Sequence, residues 1–384
     1  MINRTVVSDR SRYDSLESSY NQSLITKAIS QPEIAEAMIK GYYKPEQRDY
    51  FEVGKIVENK LTNQPVYHKE LPITITDAEQ SLCDHFLNVL DSQIEGTELS
   101  ESQKNIFLQS FKDIGFYANN KEDFKMKMFD KLKPYILMKH KNPHIKFMSL
   151  DMVNQIELAL DNAAKLPNYL KVLLPYFSTL EQSGSDNIEV LFDVMITFPQ
   201  SVIHLEEVYD QTHDEDEEYE TVMCKGLLDM VVLNNTKNTV QIIDLKTTSA
   251  KNFDDFRNSV LKYRYDIQGS FYHIGLRKGL TINGISLKSR VFLPPILIGL
   301  SKTTKAPPFI GSFTNTDLRI AAKGMPKREK DNSPIEQVAE ITGWLEMLQW
   351  LRWRERNNIW TKPPDFIEVP KFNLYGHSIT PYDI

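Results

Sequence analysis

Residues 225–232 read KGLLDMVV, residues 240–248 read VQIIDLKTT, and residues 261–272 read LKYRYDIQGSFY. The first two segments are strands by composition, and the run NNTKN at Asn234–Asn238 supplies the turn between them. Each carries one carboxylate among apolar neighbours, Asp229 in the first and Asp244 in the second. Burying an ionised Asp is costly unless it is paired or bound to a metal. Side chains alternate along a strand, so Asp244 and Lys246 face one way and Leu245 the other. Two carboxylates and a lysine are therefore expected to converge on one side of a sheet.

Two readings of that constellation compete. In one, Asp244 and Lys246 form a buried ion pair that only supports the sheet. In the other, the carboxylates are hard oxygen ligands for Mg2+ or Mn2+, which suits cleavage of a phosphodiester. Asp229, placed ahead of Asp244, favours the second. Lys246 would then orient or activate the attacking water, with a pKa lowered by burial and by the neighbouring cation. Gln268 and Tyr272 lie four apart on the helix that follows and share a face. Gln268 offers a hydrogen bond to a phosphate, and Tyr272 a hydroxyl or a stacking surface.

Working outward, 384 residues can hold one enlarged α/β body with helical insertions. Cys83 and Cys224 are the only cysteines, which argues against a disulfide framework, a zinc site or a four-cysteine iron–sulfur cluster. No apolar run approaches the roughly 20 residues of a membrane span. The N-terminal residues show neither a signal-peptide core nor a transit-peptide composition, so a cytoplasmic protein with no membrane partner is expected. The net charge of -7 counts against nucleic acid, but much of it lies in one run, Asp214–Glu218 with Glu220, expected to be a solvated loop. KHKNPHIK (139–146) and KGMPKREK (323–330) are basic loops. The eight histidines are scattered, and His204, His213 and His273 read as incidental. Serine-hydrolase, zinc-protease and Walker signatures are missing.

Residues 1–13 are polar and read as loose. Residues 15–44 suggest two helices parted near Pro32, with Ser30 capping the second. A helix with Gly54 and Glu58 follows. Apolar residues at helical spacing predict helices over 76–90, 100–116, 121–138 and 150–173. Beyond Gly184 the texture turns to strands, with Glu189–Phe198 and Val202–Val208 ahead of the central pair. SRVFLPPILIGL (289–300) is a strand that Pro294 and Pro295 confine to an edge or split in two. A helix over 334–357 presents a wide apolar face, so its tryptophans are expected to pack. The expected division is a mainly helical region 1–185, a sheet core 186–300 and a helical region 301–384, all three forming one integrated body.

GLLD, IIDLKTT and YDIQGSFYHIGL together resemble the core of the PD-(D/E)XK nuclease superfamily, in its RecB-like branch with a Q-x-x-x-Y helix. SLITKAISQPEIAEAMIKGYYK and FEVGKIVENKL resemble the start of phage and prophage exonucleases of the exonuclease VIII (RecE-like) group, and RERNNIWTKPPDF is similar to its C-terminal end. The resemblance implies a restriction-endonuclease-like α/β fold, a central mixed sheet flanked by helices. It implies Asp229 and Asp244 as metal ligands, the Leu245 carbonyl as a third, Lys246 as the catalytic lysine, and Gln268 and Tyr272 on a DNA-facing helix. Where that group often has a histidine four residues after a glycine, this chain has Glu58, either a further ligand or a helix-surface residue. The implied activity is an Mg2+-dependent exodeoxyribonuclease resecting linear double-stranded DNA 5′ to 3′ for recombination in a bacterial host cell. The implied state is a homo-oligomer, and the implied partner a single-strand annealing protein. The alternatives are an endonuclease of the same fold and a non-catalytic DNA-binding recombination protein.

Overall fold

The computed structural model describes residues 2–7, 13, 16, 19–43, 49–66, 68–70, 75–90, 94, 99–142, 146–177, 187–203, 219–325 and 342–360. In chain order these form β1 (Ile2–Val6), α1 (Gln22–Ser30), α2 (Pro32–Ile39), α3 (Asp49–Leu61), β2 (His68–Glu70), α4 (Asp77–Val89), α5 (Glu101–Asp113) and α6 (Glu122–Lys141). Then come β3 (Lys146–Met148), α7 (Leu150–Ala163), α8 (Asn168–Lys171), β4 (Ile188–Ile203), β5 (Tyr219–Asn234) and β6 (Thr239–Thr248). The last third holds α9 (Phe253–Lys262), α10 (Tyr265–Gly279), β7 (Thr281–Ile282), β8 (Ile285–Ser286), β9 (Val291–Phe292), β10 (Ile296–Ser301), β11 (Phe309–Ser312), α11 (Asn315–Lys323) and α12 (Trp344–Asn357). The chain is of the α/β class. It gathers into two compact units, residues 1–47 with 162–384, and residues 48–161.

The first unit is built on a seven-stranded mixed sheet in the order β1-β4-β5-β6-β10-β11, with β9 also paired to β6. β4, β5 and β6 run antiparallel in sequence, whereas β10 returns parallel to β6, placing Leu297 beside Asp244 and Gly299 beside Lys246. One core joins the sheet to its helices: Leu24, Ile25 and Ala28 of α1, Ile267 and Phe271 of α10, Ala321 of α11, and Trp344, Leu348 and Leu351 of α12. Trp344 is fully buried, as its apolar face predicts. Its indole Nε1 donates to Ser270 Oγ at 3.3 Å, and that hydroxyl donates to the Leu318 carbonyl at 2.7 Å, so one serine ties three helices together.

Several expectations change. The first residues are not loose, because Ile2–Val6 pairs in parallel with Ile188–Phe192. A five-residue strand whose partner lies far along the chain leaves too short a pattern to read. The two strands expected between Glu189 and Val208 are one strand, β4, running through Pro199. β1 ends opposite Phe192, and among the described residues no strand pairs with that side of β4 beyond it, where a missing N–H costs no ladder bond. Ser30 does not cap α2. Its hydroxyl donates to the Thr26 carbonyl within α1, and Gln31 stands at the cap ahead of Pro32. The helix expected over 150–173 stops at Ala163 and resumes after Pro167 as the short α8. The double proline splits its strand into β9 and β10. Glu220 is not in a loop: it lies on β5, part-exposed. It pairs with Arg352 at 2.5 Å and Arg356 at 2.7 Å, and Arg352 also reaches Glu355 and Tyr20. The rest of the acidic run, His204, His213, Pro143–Ile145, Pro326–Lys330 and the start of the helix expected from 334 lie outside the described residues.

The second unit is helical, with a short parallel pair, β2 with β3. Its core centres on Phe107, whose ring meets Phe86, Phe111 and Phe129 edge-on at 5.1–5.3 Å. Reciprocal capping boxes, Thr76 with Glu79 and Ser100 with Gln103, start α4 and α5. No described helix is long and apolar enough to cross a membrane.

Two predictions concern α10 as a support. A Cβ at Gly275 would lie 2.4 Å from the Phe198 ring and 2.7 Å from Ile196, both in the core. Gly275→Ala is expected to destabilise the protein by about 1–3 kcal/mol through overpacking, more than the roughly 1 kcal/mol that alanine gains in a helix. An unchanged urea midpoint would refute this close packing. His273 is 6 % exposed, and burial, reinforced by Arg277, lowers its pKa from 6.5 to about 4. Between those values the unfolded chain binds the proton and the folded chain does not, so stability falls as pH falls, by about 3 kcal/mol across the window. Urea unfolding at several pH values should show a shallower loss in His273→Gln than in the parent; parallel curves would remove His273 as the cause.

Candidate active site

The site forms where two strands part. β5 and β6 pair from Asn234–Thr239 to Met230–Ile243 and no further. The next pair in sequence is Asp229 and Asp244, and there a side chain takes over from the backbone: Asp229 Oδ2 accepts from the Leu245 N–H at 3.1 Å. On the other flank of β5, Phe192–Met230 and Val194–Leu228 remain paired around Asp193, which sits in the left-handed region at φ 52°. At this rung the strand pattern changes phase. Leu191 and Val194 share a core, as do Leu228 and Val231, three apart instead of two or four. The shift aligns Asp229 with Val231 and Leu233, the residues that pack with Val240 and Ile242 of β6. Strict alternation from Leu228 would turn Asp229 away. Asp193 was missed in the sequence, where an Asp among apolar strand residues gives no sign of its backbone conformation.

Asp244 is 7 % exposed, and Lys246 Nζ lies 2.7 Å from its Oδ2. This is an ion-pair contact without hydrogen-bond geometry, for neither carboxylate oxygen of Asp244 accepts a hydrogen bond of good angle. Burial pushes the Asp244 carboxyl up to about 6, with Lys246 opposing the rise and Asp229 adding to it. Without a cation beside it, Lys246 does not show a lowered pKa. Burial does disfavour its ammonium, but Asp244 and then Asp229 outweigh burial and hold the pKa above the ordinary lysine value.

α10 closes the site. Gln268 Nε2 donates to Tyr272 Oη at 3.3 Å. The Tyr272 hydroxyl is held well above its ordinary pKa, first by burial, and it lies within the electrostatic reach of Asp244, Lys246 and Asp229. Its ring rests on β5 at Gly226, where a Cβ would come within 2.9 Å of it. That glycine, inside KGLLD, was also missed, although a glycine in a strand often marks such a close approach. Lys246 Nζ lies 5.3 Å from the centre of the Tyr265 ring, a further neighbour the sequence did not reveal.

The structure thus brings together Asp229, Asp244, Leu245, Lys246, Gln268 and Tyr272. Glu58 belongs to the helical unit, on α3, where Lys55 approaches it at 3.2 Å. Among the described residues no group of three or more His, Cys, Asp or Glu side chains gathers to hold a metal. Two carboxylates are nevertheless a sufficient protein contribution for Mg2+, which commonly keeps waters and substrate oxygens as its other ligands. A buried carboxylate oxygen without a hydrogen bond, Asp244 Oδ1, fits such an ion.

Fold and site define an α/β protein with two carboxylates and one lysine at a splayed strand pair. No known family and no curated protein matches the chain. Among solved structures, it is similar to a provisionally named exonuclease of Eubacterium rectale, at TM-score 0.35 and 13 % identity, over 82 % of this chain and 77 % of that one.

Proposed function

We propose that the protein is a metal-dependent deoxyribonuclease that resects linear double-stranded DNA from its ends, 5′ to 3′ by the family resemblance. One observation carries the reading: Asp244 keeps a buried oxygen, Oδ1, without a hydrogen bond, within electrostatic reach of Asp229 and with Lys246 2.7 Å from its other oxygen. A pair serving only the sheet would satisfy that oxygen, because a buried acceptor left alone costs about 1–3 kcal/mol.

The roles follow from position. Asp229 is fixed by the Leu245 amide through one oxygen, leaving the other to bind. Asp244 presents Oδ1. A Mg2+ or Mn2+ ion held by these two carboxylates and the Leu245 carbonyl would supply charge neutralisation at the scissile phosphate. Lys246, beside Asp244, orients the attacking water and the phosphate by donating hydrogen bonds. Gln268 and Tyr272 contact the strand beside that phosphate. By the same resemblance the protein works as a homo-oligomer in the cytoplasm of a bacterial host, with a single-strand annealing protein as partner.

Linear duplexes carrying one 5′ or 3′ label per strand, incubated with magnesium beside covalently closed circles, test the reading. The expected result is early release of the 5′ label and an intact circle. Cleavage of the circle would establish an endonuclease, and magnesium-independent binding without cleavage a DNA-binding protein.

A further inference from the structure

The corner between α9 and α10 carries a set of groups that the site chemistry does not use. Leu261 is 60 % exposed and Tyr263 58 %. Arg264, between two tyrosines, has a left-handed backbone at φ 53°, which folds the chain so that the rings of Tyr263 and Tyr265 meet, 5.8 Å apart and tilted by 31°. Tyr265 in turn lies 5.3 Å from Lys246 Nζ, and Lys262 Nζ lies 5.4 Å from the centre of the Tyr263 ring. Two aromatic steps therefore lead from solvent to the lysine of the site, with a cation beside the outer step.

An isolated exposed tyrosine needs no explanation. A tyrosine stacked toward the site lysine does, since each ring offers a face to a planar partner and the lysine offers charge to a phosphate. Nucleobases stack on aromatic rings with little regard to sequence, and lysines follow the backbone. We propose that Tyr263 is a stacking platform for an unpaired base of the substrate strand, one that lies within a nucleotide or two of the phosphate bound at Lys246, with Lys262 on the adjoining phosphate. The partner is a single strand, or a duplex end frayed by that stacking. An intact duplex buries the base faces and leaves the ring nothing to stack on. The proposal rests on the deoxyribonuclease reading for the identity of the strand.

The test is binding in EDTA, which prevents cleavage, of oligonucleotides with 2-aminopurine at each of the first positions. The parent should quench the probe at one or two neighbouring positions. Tyr263→Ala should lose that quenching and bind about tenfold more weakly, whereas Tyr263→Phe should keep both within about twofold. Lys262→Gln should lower the salt slope of binding by about one. Circular dichroism and melting temperature establish that each variant is folded. Equal binding and equal quenching by Tyr263→Ala, in a preparation whose parent digests labelled DNA with magnesium, would overturn the platform alone. A parent that neither binds nor digests DNA would overturn the nuclease reading with it. Loss of self-association on Tyr263→Ala, with DNA binding unchanged, would make the patch a contact between copies and likewise overturn the proposal.

Discussion

Lys246→Met is expected to slow DNA cleavage by on the order of 10²–10³-fold and to destabilise the protein in EDTA by about 3–5 kcal/mol. Millimolar magnesium should restore most of that stability and little of the activity. The stability loss follows from burial: Lys246 is the cation 2.7 Å from Asp244, and without it Asp244 and Asp229 face each other as like charges. A divalent ion can replace that missing charge in the folded state. It would not replace the hydrogen-bond donor proposed to orient water and phosphate. Urea titrations with and without magnesium, beside single-turnover digestion, separate the two effects. If magnesium leaves the stability deficit untouched, the carboxylates do not bind the ion and the pair is a sheet support.

Asp244→Asn is expected to lower cleavage by roughly 10³-fold or more, because the side chain that presents a buried, hydrogen-bond-free oxygen loses its charge. Shape and volume are nearly kept, so the variant should fold. The second readout is thermal: a ligand at about 100 times its Kd stabilises a native protein by about 2.7 kcal/mol, and that magnesium-dependent rise in Tm should vanish in Asp244→Asn. A variant that still gains the full shift would place the ion elsewhere.

The central constellation was legible because its signals are local. Asp244 and Lys246 are two apart on a strand of clear apolar character, and Gln268 and Tyr272 four apart on a helix. Period and burial settle both. Asp229 was found for an incomplete reason: its face depends on the phase change at Asp193, which is a matter of backbone conformation. The contacts of Gly226 with Tyr272 and of Tyr265 with Lys246 join residues from different elements, and no spacing along the chain encodes them. β1 stayed hidden for a related reason, since among the described residues it pairs with a strand that begins at residue 188.

That long separation also sets a timetable for the chain as it is made. β1 is synthesised well before its partner β4, which emerges only after the whole contiguous unit of residues 48–161 has left the ribosome. At about 5–20 residues per second, the wait is on the order of ten to forty seconds. The helical unit has all its residues in hand during that interval, while the strand waits. Completion comes later still, when α12 delivers Arg352 to Tyr20 and Glu220. The splayed carboxylates Asp229 and Asp244 therefore stay unassembled until β5, β6 and α10 have all emerged.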